Sequence, residues 1–319
     1  MEIRNLIGNT PIVKIKIEYK GKIKNIYVKL EYYNYTGSIK DRIAYYIINK
    51  SYKSGKLKKG MPIIEATSGN TGISFAALGA LYKHQVHIFM PDWASSERIN
   101  LMKLYGAKVH LVSKEEGGFK EAIKKADELS KKINGFRPDQ FSNQLNVITH
   151  YETTGQEIID SVKDIGAFVS GIGTGGTLIG VAKKIKENYP SASIIAVEPE
   201  NMTLLSKIPK IGHHKIEGIG DDFIPKIVDK SIIDKVITIS DDEAINMSQR
   251  LAKELGLAVG ISSGANFLAS VLSEKDNVVT IFADDAKKYL STDLVKKIYR
   301  RNLQSDDIKI LNIKKLNNK

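Results

Sequence analysis

Three polar, glycine-bearing turns hold the residues of this chain best suited to chemistry. The first runs Asn34-Tyr35-Thr36-Gly37-Ser38 into Lys40. There it opens a helix whose Ile39, Ile43 and Ile47 share one apolar face, with Gly55 as its stop. The dipole at a helix N-terminus disfavours a cation. An amine held there partly uncharged is the form a nucleophilic lysine needs. The plain alternative is a solvated lysine beside Asp41.

The second turn, Thr67-Ser68-Gly69-Asn70-Thr71-Gly72, closes the strand-like Pro62 to Thr67 and leads into a helix of small residues. The third, Gly173-Thr174-Gly175-Gly176-Thr177, joins the apolar Ala167 to Ile172 to a helix from Leu178 to Asn188. Glycine lets backbone N–H groups approach an anion, and a helix N-terminus adds a favourable field. Three such turns predict an anion-binding cleft. A dinucleotide site is the rival for the third, since Gly171, Gly173 and Gly176 fit G-x-G-x-x-G and Glu198 closes the next strand. Against it, Thr174 and Thr177 suit a phosphate monoester, and a dinucleotide leaves Lys40 and the 67–72 turn idle.

Strands and helices alternate almost throughout the 319 residues, which predicts an α/β protein with mostly parallel sheets. Two βαβ runs, near 60 to 135 and 165 to 285, predict two lobes, each a twisted sheet flanked by helices. The expected division is a larger lobe of 1–36 plus 145–305, a smaller mobile lobe of 37–144 and a loosely held basic tail of 306–319. Thr292 to Arg301 reads as the last helix. Ligands then belong in the cleft at the C-terminal ends of the strands. The net charge of +12 comes from lysines scattered among acids, which reads as a solvated surface and not a nucleic-acid site. No window resembles a membrane span and the N-terminus has no apolar leader. The chain has no cysteine, hence no disulfide or thiolate metal site, and the adjacent His213 and His214 share no helix face; no metal is expected. These features fit a cytoplasmic protein.

Taken together, the turns resemble the fold-type II pyridoxal-phosphate enzymes, most closely the cysteine synthase and cystathionine β-synthase family. The likeness starts at Ile7-Gly8-Asn9-Thr10-Pro11 and passes through the three turns. It includes Gln140-Phe141-Ser142-Asn143, His150 with Thr153-Thr154-Gly155, and Glu217-Gly218-Ile219-Gly220. It ends with Gly260-Ile261-Ser262-Ser263-Gly264 and Tyr289-Leu290-Ser291-Thr292. The resemblance implies that Lys40 holds pyridoxal phosphate as a Schiff base and later moves the substrate α-proton. Gly173, Thr174, Gly175, Gly176 and Thr177 would cradle the phosphate and Asn70 would bond the ring hydroxyl. Thr67, Ser68, Gly69, Thr71, Gln140 and Gly218 would contact substrate. Ser262 would face the pyridine nitrogen, where a neutral hydroxyl leaves the ring a milder electron sink, suited to loss of a β-substituent.

The sequence departs from the family in two places. Tyr35 stands where proline is usual, and Asp221-Asp222 where cysteine synthases mostly carry small residues. A carboxylate facing the β-carbon would repel hydrosulfide and serve as base for water or a thiol, or as acid for a leaving group. The alternative is that both aspartates face solvent or cap a turn. Ranked on the wider resemblance, cysteine synthesis from O-acetyl-L-serine and sulfide comes first. Conversion of L-cysteine to serine or lanthionine with release of hydrogen sulfide follows closely, and cystathionine synthesis is third. A homodimer is expected, and some family members bind the tail of serine acetyltransferase. The competing classes are an NAD-dependent oxidoreductase built on residues 171–198 and a non-catalytic basic binding protein.

Overall fold

The computed structural model describes residues 3–298 and 302–316. The chain opens with a hairpin, β1 (Ile12–Tyr19) and β2 (Lys22–Leu30), around Lys20-Gly21, then enters α1 (Lys40–Lys53). The next run is β3 (Ile63–Ala66), α2 (Asn70–Tyr82), β4 (Val86–Pro91), α3 (Ser96–Leu104), β5 (Lys108–Val112) and α4 (Gly118–Lys132). Helices α5 (Gln144–His150) and α6 (Gln156–Ser161) follow. They lead to β6 (Ala167–Gly171), α7 (Gly176–Asn188), β7 (Ser193–Pro199) and the short β8 (Met202–Thr203) and β9 (Lys210–Ile211). The remainder is β10 (Lys235–Ile239), α8 (Asp241–Leu255), α9 (Ile261–Leu272), β11 (Val278–Phe282) and β12 (Ile308–Lys315).

Two sheets organise these elements. The larger has the order β10-β7-β6-β11-β2-β1-β12, parallel from β10 to β2 and antiparallel from β2 to β12. Its central strands are apolar on both faces, as a sheet covered on two sides requires. Val169, Ile195 and Val197 pack with Met247 and Leu251 of α8 and Leu268 of α9. Phe168, Ile194 and Ala196 point the other way, to Ile158 of α6 and Leu178, Val181 and Ile185 of α7. The smaller sheet, β3-β4-β5, is parallel. Ile88 and Met90 face α1 and α2, whereas Phe89 faces α4. The architecture is the α/β one the sequence predicts.

Two stretches differ from expectation. Ile308–Lys315, read as a loose basic tail, is a full strand paired with β1 from Tyr19↔Ile308 to Val13↔Lys315. Its lysines hide the alternation that buries Ile308 and packs Ile310 on the core. Thr292–Arg301, read as a helix, holds one short turn at Asp293–Val295, and Lys296 is already extended; 299–301 lie outside the described residues.

Candidate active site

Strands β3 and β6 end at the same cleft, and the turns after them supply its floor. Lys40, Thr67, Ser68, Asn70, Thr71, Gln140, Gly173, Thr174, Gly175, Thr177, Gly218, Asp221 and Ser262 line one pocket. Gly69, Gly176 and Asp222 do not line it, although Gly69 and Gly176 belong to the turns that do.

Lys40 begins α1, and its amine makes no hydrogen bond or ion pair among the described residues. Burial, and the ammonium of Lys288 nearby, lower its pKa; Asp284 and Asp221 oppose them. The amine is therefore biased toward its nucleophilic form. The neighbouring Asp41 turns away, its two carboxylate oxygens accepting from the Thr36 N–H at 2.7 Å and the Thr36 hydroxyl at 2.6 Å. This excludes the solvated Lys40–Asp41 pair.

The 173–177 turn is held open by its surroundings. Gly175 adopts φ +87°, a left-handed conformation natural to glycine. A Cβ at Gly176 would strike the Asn146 side-chain oxygen, itself buried and unbonded. Asn146 Nδ2 donates to Thr174 Oγ1 at 3.0 Å, and His150 Nε2 lies 3.2 Å from Thr177 Oγ1. Burial holds the His150 imidazole well below its usual pKa, so it stays neutral. The backbone N–H groups and two hydroxyls at the head of α7 suit a phosphate dianion. Ser262, in the first turn of α9, is buried and its hydroxyl bonds to no described residue. An unpaired amine, an unpaired hydroxyl and a glycine cradle in one pocket fit pyridoxal phosphate. The dinucleotide alternative fails here: the Glu198 carboxylate accepts from the N–H groups of Leu204, Leu205 and Ser206 and from the Ser206 hydroxyl, so no oxygen is left for a ribose.

On the facing wall, Thr71 donates to Gln140 Oε1 at 2.6 Å, and Gln140 Nε2 donates to the Ala66 carbonyl at 2.9 Å. The Gly69 N–H is held by Thr67 Oγ1 at 3.0 Å. Asn70 is already engaged, accepting from Lys288 Nζ at 2.9 Å and donating to Asp284 at 2.6 Å. Tyr289 donates to the same Asp284 carboxylate.

The structure separates the two aspartates. Asp221 lines the pocket with Lys40 and has no hydrogen-bond or ion-pair partner among the described residues. Burial, then Asp222, push its pKa up to about 6, against the pull of Lys40. Asp222 instead pairs with Lys120 of α4 at 2.8 Å, both groups partly solvated. His214 Nε2 donates to the Gly220 carbonyl at 2.8 Å, bracing this loop.

Sequence reasoning missed Arg98, Asp284 and Lys288. Arg98 is 1% exposed and lines the pocket from α3. It lies among ordinary helix residues, and only burial distinguishes it. Lys288 and Asp284 sit beside the Tyr289-Leu290-Ser291-Thr292 motif, which was the available signal.

Residues 3–284 match the family described as pyridoxal-phosphate dependent enzyme. The cysteine synthase of Staphylococcus aureus (strain Mu50) is 44% identical over 299 residues, which are 92% of this chain and 96% of that protein. The crystal structure of a hydrogen sulfide-producing enzyme from Fusobacterium nucleatum is 47% identical with a TM-score of 0.92, covering 98% of this chain and 97% of that one. O-acetyl serine sulfhydrylase isoform 3 of Entamoeba histolytica is 37% identical, with a TM-score of 0.85 and coverage of 96% and 94%.

Proposed function

The chain belongs to the pyridoxal-phosphate dependent enzymes, within the cysteine synthase family, and from that premise we propose that it consumes L-cysteine, replaces the thiol and releases hydrogen sulfide. The cofactor and the cysteine synthase-type chemistry come with the family; the direction is the proposal. The observation that carries it is the unpaired Asp221 carboxylate in the pocket, near pKa 6. At neutral pH it is ionised, repels hydrosulfide and can accept a proton from water. A hydrogen sulfide-producing enzyme at 47% identity supports the same direction.

In this reading the carboxylate of L-cysteine sits on the Thr67–Thr71 turn with Gln140. Gly173–Thr177 would hold the phosphate of the cofactor and Ser262 would face its ring nitrogen, while Asn70, braced by Lys288 and Asp284, would meet its ring hydroxyl. Pyridoxal phosphate, when bound, supplies the electron sink that makes the Cα proton acidic. Lys40 takes that proton, and the thiol sulfur leaves Cβ as hydrosulfide with the bonding pair. The oxygen of water joins Cβ while Asp221 takes a water proton, and Lys40 returns its proton to Cα. The hydrosulfide leaves the pocket before water adds and is protonated in solvent, and Asp221 returns its proton to solvent. The balance is L-cysteine plus water to L-serine plus hydrogen sulfide. A second L-cysteine in place of water gives lanthionine. An outer cavity of about 930 Å³, lined by Trp93, Lys114, His213 and Lys215, adjoins the pocket and has room for one.

Cysteine synthesis is the second reading, favoured by the curated cysteine synthase relatives; cystathionine synthesis is third. Purified enzyme given L-cysteine alone, beside a parallel assay of O-acetyl-L-serine with sulfide, separates them. Rapid sulfide with serine or lanthionine supports the proposal; slow release beside fast cysteine formation overturns it. A smaller lobe of 37–144 closing on the larger one, a homodimer and a cytoplasmic location rest on the family resemblance. So does docking of a serine acetyltransferase tail. Size-exclusion chromatography checks the dimer. No helix among the described residues is long and apolar enough to cross a membrane.

A further inference from the structure

Arg98 is a buried cation that neither the cofactor nor the proposed chemistry uses directly. Its guanidinium holds three chain segments at once. It donates to the Ser68 carbonyl at 2.9 Å, to Ser95 Oγ at 2.8 Å and to the Glu217 carboxylate. Its carbon end lies 5.1 Å from the centre of the Tyr289 ring. A side chain at Gly69 would collide with it, so the turn after β3 is shaped to seat it. Ser68 belongs to the turn proposed to hold the substrate carboxylate. Glu217 begins the loop that carries Asp221 four residues later. The planar fork of arginine can satisfy both at fixed separation, which a lysine cannot. Removing one partner would leave a buried charge without compensation, so the arrangement resists drift.

We infer that Arg98 and Glu217 are positioning residues that tie the substrate-binding turn to the Asp221 loop, so that a filled Ser68 turn sets Asp221 against the β-carbon. This rests on the reading of Asp221 as the base for water. It assigns Glu217 a task distinct from substrate binding. Its loss should impair the step that needs Asp221 and spare the earlier departure of the thiol.

The test uses the holoenzyme in two regimes. With enzyme in excess over L-cysteine, sulfide from the first turnover reports binding and thiol departure; with excess L-cysteine, steady-state sulfide reports the whole cycle. Glu217→Gln should keep first-turnover sulfide within about twofold and lose about tenfold or more in steady state, the scale expected when a general base is displaced. Arg98→Lys should show the same steady-state loss and also raise KM, because the Ser68 turn loosens. Glu217→Gln added to Asp221→Asn should cost no further rate, since both act through one carboxylate. A Glu217→Gln enzyme with wild-type steady-state rate, or one whose loss adds in full to that of Asp221→Asn, overturns the inference while the reading of Asp221 stands. An Asp221→Asn enzyme with wild-type rate overturns both.

Discussion

Two sets of carboxylates flank the Lys40 helix, and they are treated in opposite ways. Glu31 and Glu157 lie with Lys29 and Arg42 beneath it. Lys29 meets Glu157 at 2.7 Å, and Arg42 meets Glu31 at 2.6 Å and Glu157 at 2.7 Å. Burial alone would raise Glu31; the Arg42 guanidinium, helped by Lys29 and Thr10, overrules it and holds the carboxyl down at about 2. Arg42 follows Lys40 by two positions, about 200° round the helix, so this cluster anchors the face opposite the Lys40 amine. At the rim, Glu217 has Arg98 and Asp222 has Lys120, but Asp221 makes no ion pair and accepts no hydrogen bond among the described residues, and burial and Asp222 outweigh the pull of Lys40 and push it up to about 6. The same side-chain chemistry is locked into one charge state where its partners are complete. It is left free to exchange a proton where they are not. The first arrangement is structural and the second is what a base requires.

The largest effect removes the group both sets flank. Lys40→Ala should lower sulfide release by at least about a thousandfold, the upper range for a positioned proton carrier, with far-ultraviolet circular dichroism unchanged. Retained activity would mean the lysine is misassigned. Next comes the lower set. Glu31→Ala leaves Arg42 and Lys29 buried without their counter-charge and should cost roughly 3–5 kcal/mol in urea unfolding. The folded pKa of Glu31 lies below its unfolded value. Its contribution is therefore present above about pH 4.5 and fades as pH falls toward 2, and the gap between variant and parent should close on acidification. A gap independent of pH would show that packing and not charge is lost.

At the rim, Asp221→Asn should reduce steady-state sulfide release by about a hundredfold, whereas Asp222→Asn, on a partly solvated pair, should cost about threefold or less. The parent rate should fall as pH drops through about 6, where Asp221 takes up its proton, and that limb should vanish in Asp221→Asn. Equal losses in the two variants would erase the distinction between the aspartates.

What was legible in the sequence follows the same division. The 67–72 and 173–177 turns could be read because glycine and hydroxyl residues are written consecutively and lie between a strand and a helix. The Asp221-Asp222 pair stood out as a departure, but spacing could not say which one enters the pocket; Lys120, a hundred residues earlier, decides it. The lower cluster was invisible. Its members come from β2, the short turn after it, α1 and α6, and no local pattern connects Lys29, Glu31, Arg42 and Glu157. Helix α9 escaped for another reason: eleven residues from Ile261 to Val271 are buried, so it has no polar face to give a helical period.

The smallest effect is on stability, and it carries the sign opposite to that of Glu31. The folded pKa of Asp221 lies above its unfolded value, so the protonated form is the one the fold prefers. Its favourable contribution is complete below about pH 4 and is lost as pH rises through about 6; above that the parent holds an ionised, half-buried carboxylate at a cost. Asp221→Asn keeps the shape and removes the charge. It should therefore stabilise the protein at pH 8 by an amount of order 1 kcal/mol, less than the full shift implies because solvent reaches the group. Below pH 4 the difference should disappear. Urea titrations of both proteins at pH 8, 6 and 4 measure this. A variant that gains stability and loses turnover at the same pH would show that Asp221 is held in its place at a cost to the fold, for the sake of the reaction.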